Sequence, residues 1–179
     1  METYEEYEIF DAHAHIFPDK IAGLATENIG NFYDLKMRNI GNSKNLIESG
    51  KKINVSGYLV FSTATNPAQV HNINSFIAKE CEQHKEFIGL GTLHQQSDDM
   101  ERDFNQILEL NLKGIKLHPD FQKFDIDSKE AYKMYEIAEG RLPVLIHFGD
   151  RRYEYSAPKK LVQVHKDFPD LKVIAAHLG

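Results

Sequence analysis

Six short apolar runs punctuate the chain, and the stretches between them carry apolar residues at helical spacing. The runs are YEIFDAHAHIF, VSGYLVFST, FIGLGTLH, LKGIKLHP, LPVLIHFGD and KVIAAHLG. Rich in Val, Ile, Leu and Phe, they are too apolar for a sheet with one wet face, and they predict buried parallel strands. Asn66 followed by Pro67 predicts a helix start, with Val70, Ile73, Ile77 and Cys81 at helical spacing behind it. Asp98 with Glu101 has the spacing of a capping box before Phe104, Ile107 and Leu108, and Asp127 with Glu130 repeats it before Tyr132, Tyr135 and Ile137. Ser156 with Pro158 predicts a helix carrying Leu161, Val164 and Phe168. Residues 18–52 are less regular and predict an insertion after the first strand, a loop with one or two helices.

Strands alternating with helices imply an α/β fold with a parallel sheet. No Pro/Gly-rich linker divides the chain, so residues 1–179 read as one domain. The histidines that close the later strands, His94, His118, His147 and His177, follow one another at intervals of 24, 29 and 30 residues. Six such units fit here, whereas a (β/α)8 barrel has eight and typically about 250 residues. The chain is therefore either a TIM-type (β/α)8 barrel with about six of its eight βα units, or an open doubly wound sheet.

Composition narrows the function classes. A net charge of −6 over 179 residues argues against a nucleic-acid surface, which would need a basic patch. No apolar run approaches the roughly 18 residues that span a membrane. The first ten residues, METYEEYEIF, are acidic where an export signal would be basic, which makes the cytoplasm the expected location. The single cysteine, Cys81, falls in a helical pattern and reads as a packed thiol.

The chemistry lies in the histidines. His13 and His15 are two apart on a strand, so both face the same way and can share one metal ion. Four later strands also end in histidine, and such barrels gather their active sites at the C-terminal ends of their strands. This placement favours the barrel. The other three, His71, His84 and His165, lie in helical stretches and read as solvated. On the fifth run Leu145 and His147 share the inner face, and on the sixth Val173, Ala175 and His177 do. Lys116 and His118 point inward together, and a lysine inside a barrel is costly unless paired, modified or set against an anionic ligand. His118 precedes Pro119 at the start of a loop and is a candidate substrate contact.

FDAHAHIFPD, GIKLHP, LIHFGD and VIAAHLG, in this order, resemble the amidohydrolase superfamily. The likeness is strongest to its amidohydrolase-related branch, which includes aminocarboxymuconate semialdehyde decarboxylase. The resemblance implies a distorted TIM barrel holding one divalent metal, usually zinc, with manganese or iron also suited to imidazole. It implies His13 and His15 as first-strand ligands, His147 as the fifth-strand ligand, and His177 in acid/base chemistry. Lys116 would be catalytic, and in two-metal branches the fourth-strand lysine can be carboxylated. Branches with a fourth-strand glutamate, such as TatD-type deoxyribonucleases, fit less well, because GIKLHP offers none.

The implied activity is hydrolysis of a C–O or C–N bond in a small carboxylated or cyclic substrate, the alternative being non-oxidative decarboxylation. Arg151 and Arg152 could clamp an anionic substrate. The family also places an essential aspartate after an eighth strand, which the chain does not reach. The expectation is therefore a truncated enzyme, with a non-catalytic metal-binding remnant as the rival. Unclosed parallel edges would favour pairing into a homo-oligomer.

Overall fold

A computed structural model describes residues 7–178; the acidic residues 1–6 and Gly179 lie outside the described residues. The strands are β1 (Ile9–His15), β2 (Val55–Phe61), β3 (Phe87–Gly89), β4 (Gly91–Thr92), β5 (Ile115–Leu117), β6 (Val144–Ile146) and β7 (Val173–Ala175). The helices are α1 (Asp19–Tyr33), α2 (Ser43–Gly50), α3 (Val70–Gln83), α4 (Met100–Glu109), α5 (Pro119–Gln122), α6 (Lys129–Ala138) and α7 (Pro158–Asp167). Residues 18–52, expected as an insertion, carry α1 and α2. Among the described residues no helix is long and apolar enough to cross a membrane.

All strand pairs are parallel, in the orders β1-β2-β3 and β4-β5-β6-β7. The third apolar run supplies both β3 and β4, which are separated only by Leu90. Leu90 N–H still bonds the Val60 carbonyl at 3.0 Å, whereas Gly91 N–H bonds the Gly114 carbonyl at 2.9 Å, so the run changes partners at this residue. The six runs are thus six neighbouring strand positions of a TIM-barrel-type α/β fold. A side chain at Gly89 would meet Cys81 Sγ at 2.7 Å, and one at Gly91 would meet Ile107 at 2.7 Å. These two glycines let α3 and α4 pack directly on the strand.

Two apolar layers result from the pleat. Outward-facing Val60, Ile115, Leu117, Val144 and Ile146 join helix residues such as Ile77, Ile107, Met134 and Val164 in the main core. Inward-facing Leu59, Phe61 and Leu145 form a smaller cluster with Leu90 and Ala176. The curvature is strong enough that His13, on the first strand, and His177, beyond the last, have ring centroids 4.7 Å apart. β1 and β7 each have one strand neighbour among the described residues, and Ile174 on β7 is 47% exposed.

Three helix starts differ from the sequence expectation. Asp99, not Asp98, caps α4 by accepting from Arg102 N–H, and Ser128, not Asp127, caps α6 by accepting from Ala131 N–H. Adjacent residues with the same capping chemistry cannot be ranked by spacing alone. α7 begins after Ala157 with no side-chain cap, because Ser156 Oγ is committed to Asp120 at 2.9 Å. Asp99→Ala is expected to cost about 1 kcal/mol in urea unfolding, and Asp98→Ala to stay within about 0.5 kcal/mol of the parent. Equal costs would place the cap elsewhere.

Candidate metal centre

β1 is bulged. It pairs Asp11 with Tyr58 and Ala14 with Val60, which sets three steps of β1 against two of β2. The extra residue turns the strand between Asp11 and His13, and the Asp11 carboxylate accepts His13 N–H at 3.0 Å to hold it. Asp11 falls opposite Tyr58 of the outer layer, while His13 and His15 both point inward. Both rings stand edge-on to Phe61, at 4.9 and 4.8 Å, and lie 5.5 Å from each other.

The other histidines arrive by different routes. His118 caps α5 with its ring, is buried, and stacks on Phe121 at 3.8 Å and on His147 at 4.0 Å. Gln122 fixes it from behind, accepting His118 N–H at 2.9 Å and donating to the Leu93 carbonyl at 2.8 Å. His147 follows β6 directly. His177 does not continue the pleat of β7 as expected: it sits in a 3-10 turn at φ 61°, ψ 26°. Val173 packs against the outer core rather than sharing an inner face with His177, and Ala176 fills the inner cluster. A left-handed residue, not strand alternation, brings the His177 ring within 4.9 Å of His147.

His13, His15, His118, His147 and His177 line one cavity of about 370 Å³, together with Tyr33. Tyr33, the last residue of α1, sets its hydroxyl 3.0 Å from His118 Nε2 and 3.3 Å from His147 Nε2. Arg152 steadies this corner. Its guanidinium bonds the Asp150 carboxylate at 2.7 Å, bonds the Phe32 carbonyl, and lies 4.3 Å from the Phe32 ring centroid. Arg152 is therefore spent on a latch between α1 and the loop after β6, and neither it nor exposed Arg151 lines the cavity, in contrast to the expected anion clamp. His94 is buried apart from this group, with Nδ1 accepting Gln96 N–H at 3.2 Å.

Beneath the histidines lies Lys116, with no exposed surface and, among the described residues, no hydrogen-bond partner for Nζ, which sits 5.0 Å from the Phe61 ring centroid. Burial pulls its pKa from 10.5 down to about 7. Burial and the Lys116 charge together lower His13 to about 3 and His147 to about 4, and lower His15 and His177 as well. At neutral pH these imidazoles are uncharged and keep lone pairs free for a metal ion.

A second donor set was not foreseen. Donor atoms of His118, Asp120 and His147 lie within 4.8 Å of one another, and all three residues are buried. Asp120 Oδ2 accepts from Ser156, while Oδ1 is buried without a partner among the described residues. An orphan carboxylate oxygen beside two neutral imidazoles is the donor chemistry of a zinc site, so the residues present fit a divalent metal. Among the described residues this is the set that meets that spacing; His13 and His15 border the same cavity without meeting it together with His147.

A family model described as amidohydrolase matches residues 10–179. No curated protein matches the sequence. Among solved structures, a Staphylococcus aureus protein assigned as an amidohydrolase is similar, with TM-score 0.68 and 12% identity, over 94% of this chain and 67% of its own. An Acinetobacter baumannii protein assigned as a 2-pyrone-4,6-dicarboxylic acid hydrolase, with citric acid bound, gives TM-score 0.58 and 14% identity, over 94% of this chain and 58% of its own. At these identities the two structures speak for the fold.

Proposed function

Because the chain belongs to the amidohydrolase family, we propose that it forms the metal-binding part of a hydrolase that cleaves a C–O or C–N bond in a small cyclic or carbonyl substrate. The observation that carries this reading is the ring of neutral imidazoles around one cavity, with a buried lysine below and an orphan carboxylate oxygen beside it. His147 would hold the metal together with His13 and His15, as the motif implies, or with His118 and Asp120, as the donor spacing favours. Zinc is the first choice for an N/O donor set of this kind.

When bound, the metal would polarise the substrate carbonyl and supply activated water at neutral pH. The chain's own residues would manage position and protons. His177, the most exposed of the five cavity histidines, would take the proton of the attacking water and return it to the leaving oxygen or nitrogen. The Tyr33 hydroxyl is held in its protonated form by burial, so it can donate to a substrate oxygen. Lys116 titrates near neutrality and can place a positive charge beneath a developing anion. His118 would contact substrate wherever it is not a ligand.

The test is hydrolysis of 2-naphthyl acetate and dihydrocoumarin by zinc-loaded and chelator-treated protein, with CO₂ release from carboxylated aromatics measured in parallel. Hydrolysis lost on chelation and restored by zinc is expected. Equal rates with and without metal would sink the reading, CO₂ release without hydrolysis would replace it with a decarboxylase, and zinc binding without either activity would leave the metal-binding remnant.

A further inference from the structure

A second cavity, larger and of different chemistry, opens beside the histidines. It measures about 590 Å³ and lies between α1 and the segment from β2 into α3. We infer that it is the subsite for an uncharged aryl or branched-alkyl body of the substrate, whose reacting group sits at the histidines. This deepens the reading of the histidine cavity as a reaction centre and rests on it.

Continuity comes first. The two cavities share His15, Phe17, Ile29 and Phe121 as walls, so a molecule lying in the larger one presents one end to His15. The helix pattern comes second. Ile21, Ala25, Ile29 and Phe32 recur at helical spacing along α1 and line the cavity, facing Ile73 and Phe76 of α3 across it. The α1 stripe is thus left to cover a ligand, while Ile73 and Phe76 form the opposite wall and also pack against the main core.

Charge decides the occupant. Among the described residues neither cavity is lined by an Asp, Glu, Lys or Arg. Lys116 lies below Phe61 on the histidine side, and Arg152 is held by Asp150. A dicarboxylate in the larger cavity would be desolvated with no cation to meet it. The substrate class therefore differs from the dicarboxylate named for the Acinetobacter baumannii relative. Asn28, Gln69 and Asn72 also line the cavity and offer uncharged polar groups for hydrogen bonds to a neutral ligand. The volume is in the range that encloses a drug-sized molecule.

The experiment titrates metal-free full chain with 2-naphthol as the neutral apolar probe and pyridine-2,4-dicarboxylate as the charged one, by calorimetry. Ala25→Phe and Ala68→Phe fill the cavity from separate walls, and neither residue belongs to the metal or proton machinery. Each is expected to weaken 2-naphthol binding at least tenfold while zinc affinity stays within twofold. The dicarboxylate should bind the parent at least tenfold more weakly than 2-naphthol. Equal 2-naphthol affinity in parent and folded variants, no binding to the parent, or preference for the dicarboxylate would each overturn the assignment. If circular dichroism shows both variants unfolded, the comparison of the two probes on the parent decides. Loss of zinc binding with the 2-naphthol pattern intact would instead defeat the metal reading alone.

Discussion

His147→Ala is expected to lower zinc affinity by about 100-fold or more, measured by calorimetry against a competing chelator. His147 is the one residue common to the motif set and the spacing set, and its neutral ring stacks on His118 at 4.0 Å. Removing a group that only hydrogen-bonds a metal's ligand typically costs about 10–100-fold, so loss of a ligand should reach or exceed that range. His13→Ala and Asp120→Asn then divide the two sets. Asp120→Asn keeps the side chain's shape, and its amide oxygen can still accept from Ser156, but it removes the charge at the orphan Oδ1. If His13→Ala weakens zinc and Asp120→Asn does not, the ion sits on the first strand. The reverse places it between β5 and β6. Undiminished affinity in His147→Ala would remove the metal from this cavity altogether.

Sequence patterning reached the strands more surely than the site. The inner and outer layers follow from the pleat, so alternation in the sequence alone assigns Leu145 and Lys116 inward and Val144 and Ile146 outward. His13 and His15 share a face as expected, but Asp11, at the same spacing from His13, does not. The bulge that separates them depends on register against β2, which no local pattern in β1 encodes. His177 was identified for a reason the structure does not bear out, because it leaves the strand through a left-handed turn. Asp120 and Tyr33 were invisible for a common cause. Each acquires its role from partners far along the chain, Ser156 for the first and His118 and His147 for the second. Arg152, expected as an anion clamp, instead bonds Asp150, two residues before it, and the distant Phe32 carbonyl, and the second of these partners is not legible locally.

Lys116→Met should stabilise the metal-free protein at pH 7, and this gain is the clearest sign that Lys116 serves the site rather than the fold. A lysine with no exposed surface and no partner for Nζ must fold either charged in a dry cavity or neutral. The fall in pKa from 10.5 to about 7 corresponds to a penalty on the order of 5 kcal/mol at most. Methionine fills similar space without the amine, and with some misfit a gain of about 2–4 kcal/mol is expected in urea unfolding. The pH dependence has a definite sign. Between about 7 and 10.5 the unfolded chain holds the lysine proton and the folded chain does not, so the parent gains stability as pH rises through that window. Below it both states are protonated and the penalty is fully present; above it both are neutral and the penalty is gone. The advantage of Lys116→Met should therefore be largest below pH 7 and shrink toward zero near pH 10.5, with chelator present throughout. A constant difference across that range would mean that Nζ finds a partner or water in solution, and a loss of stability at pH 7 would make Lys116 a structural residue.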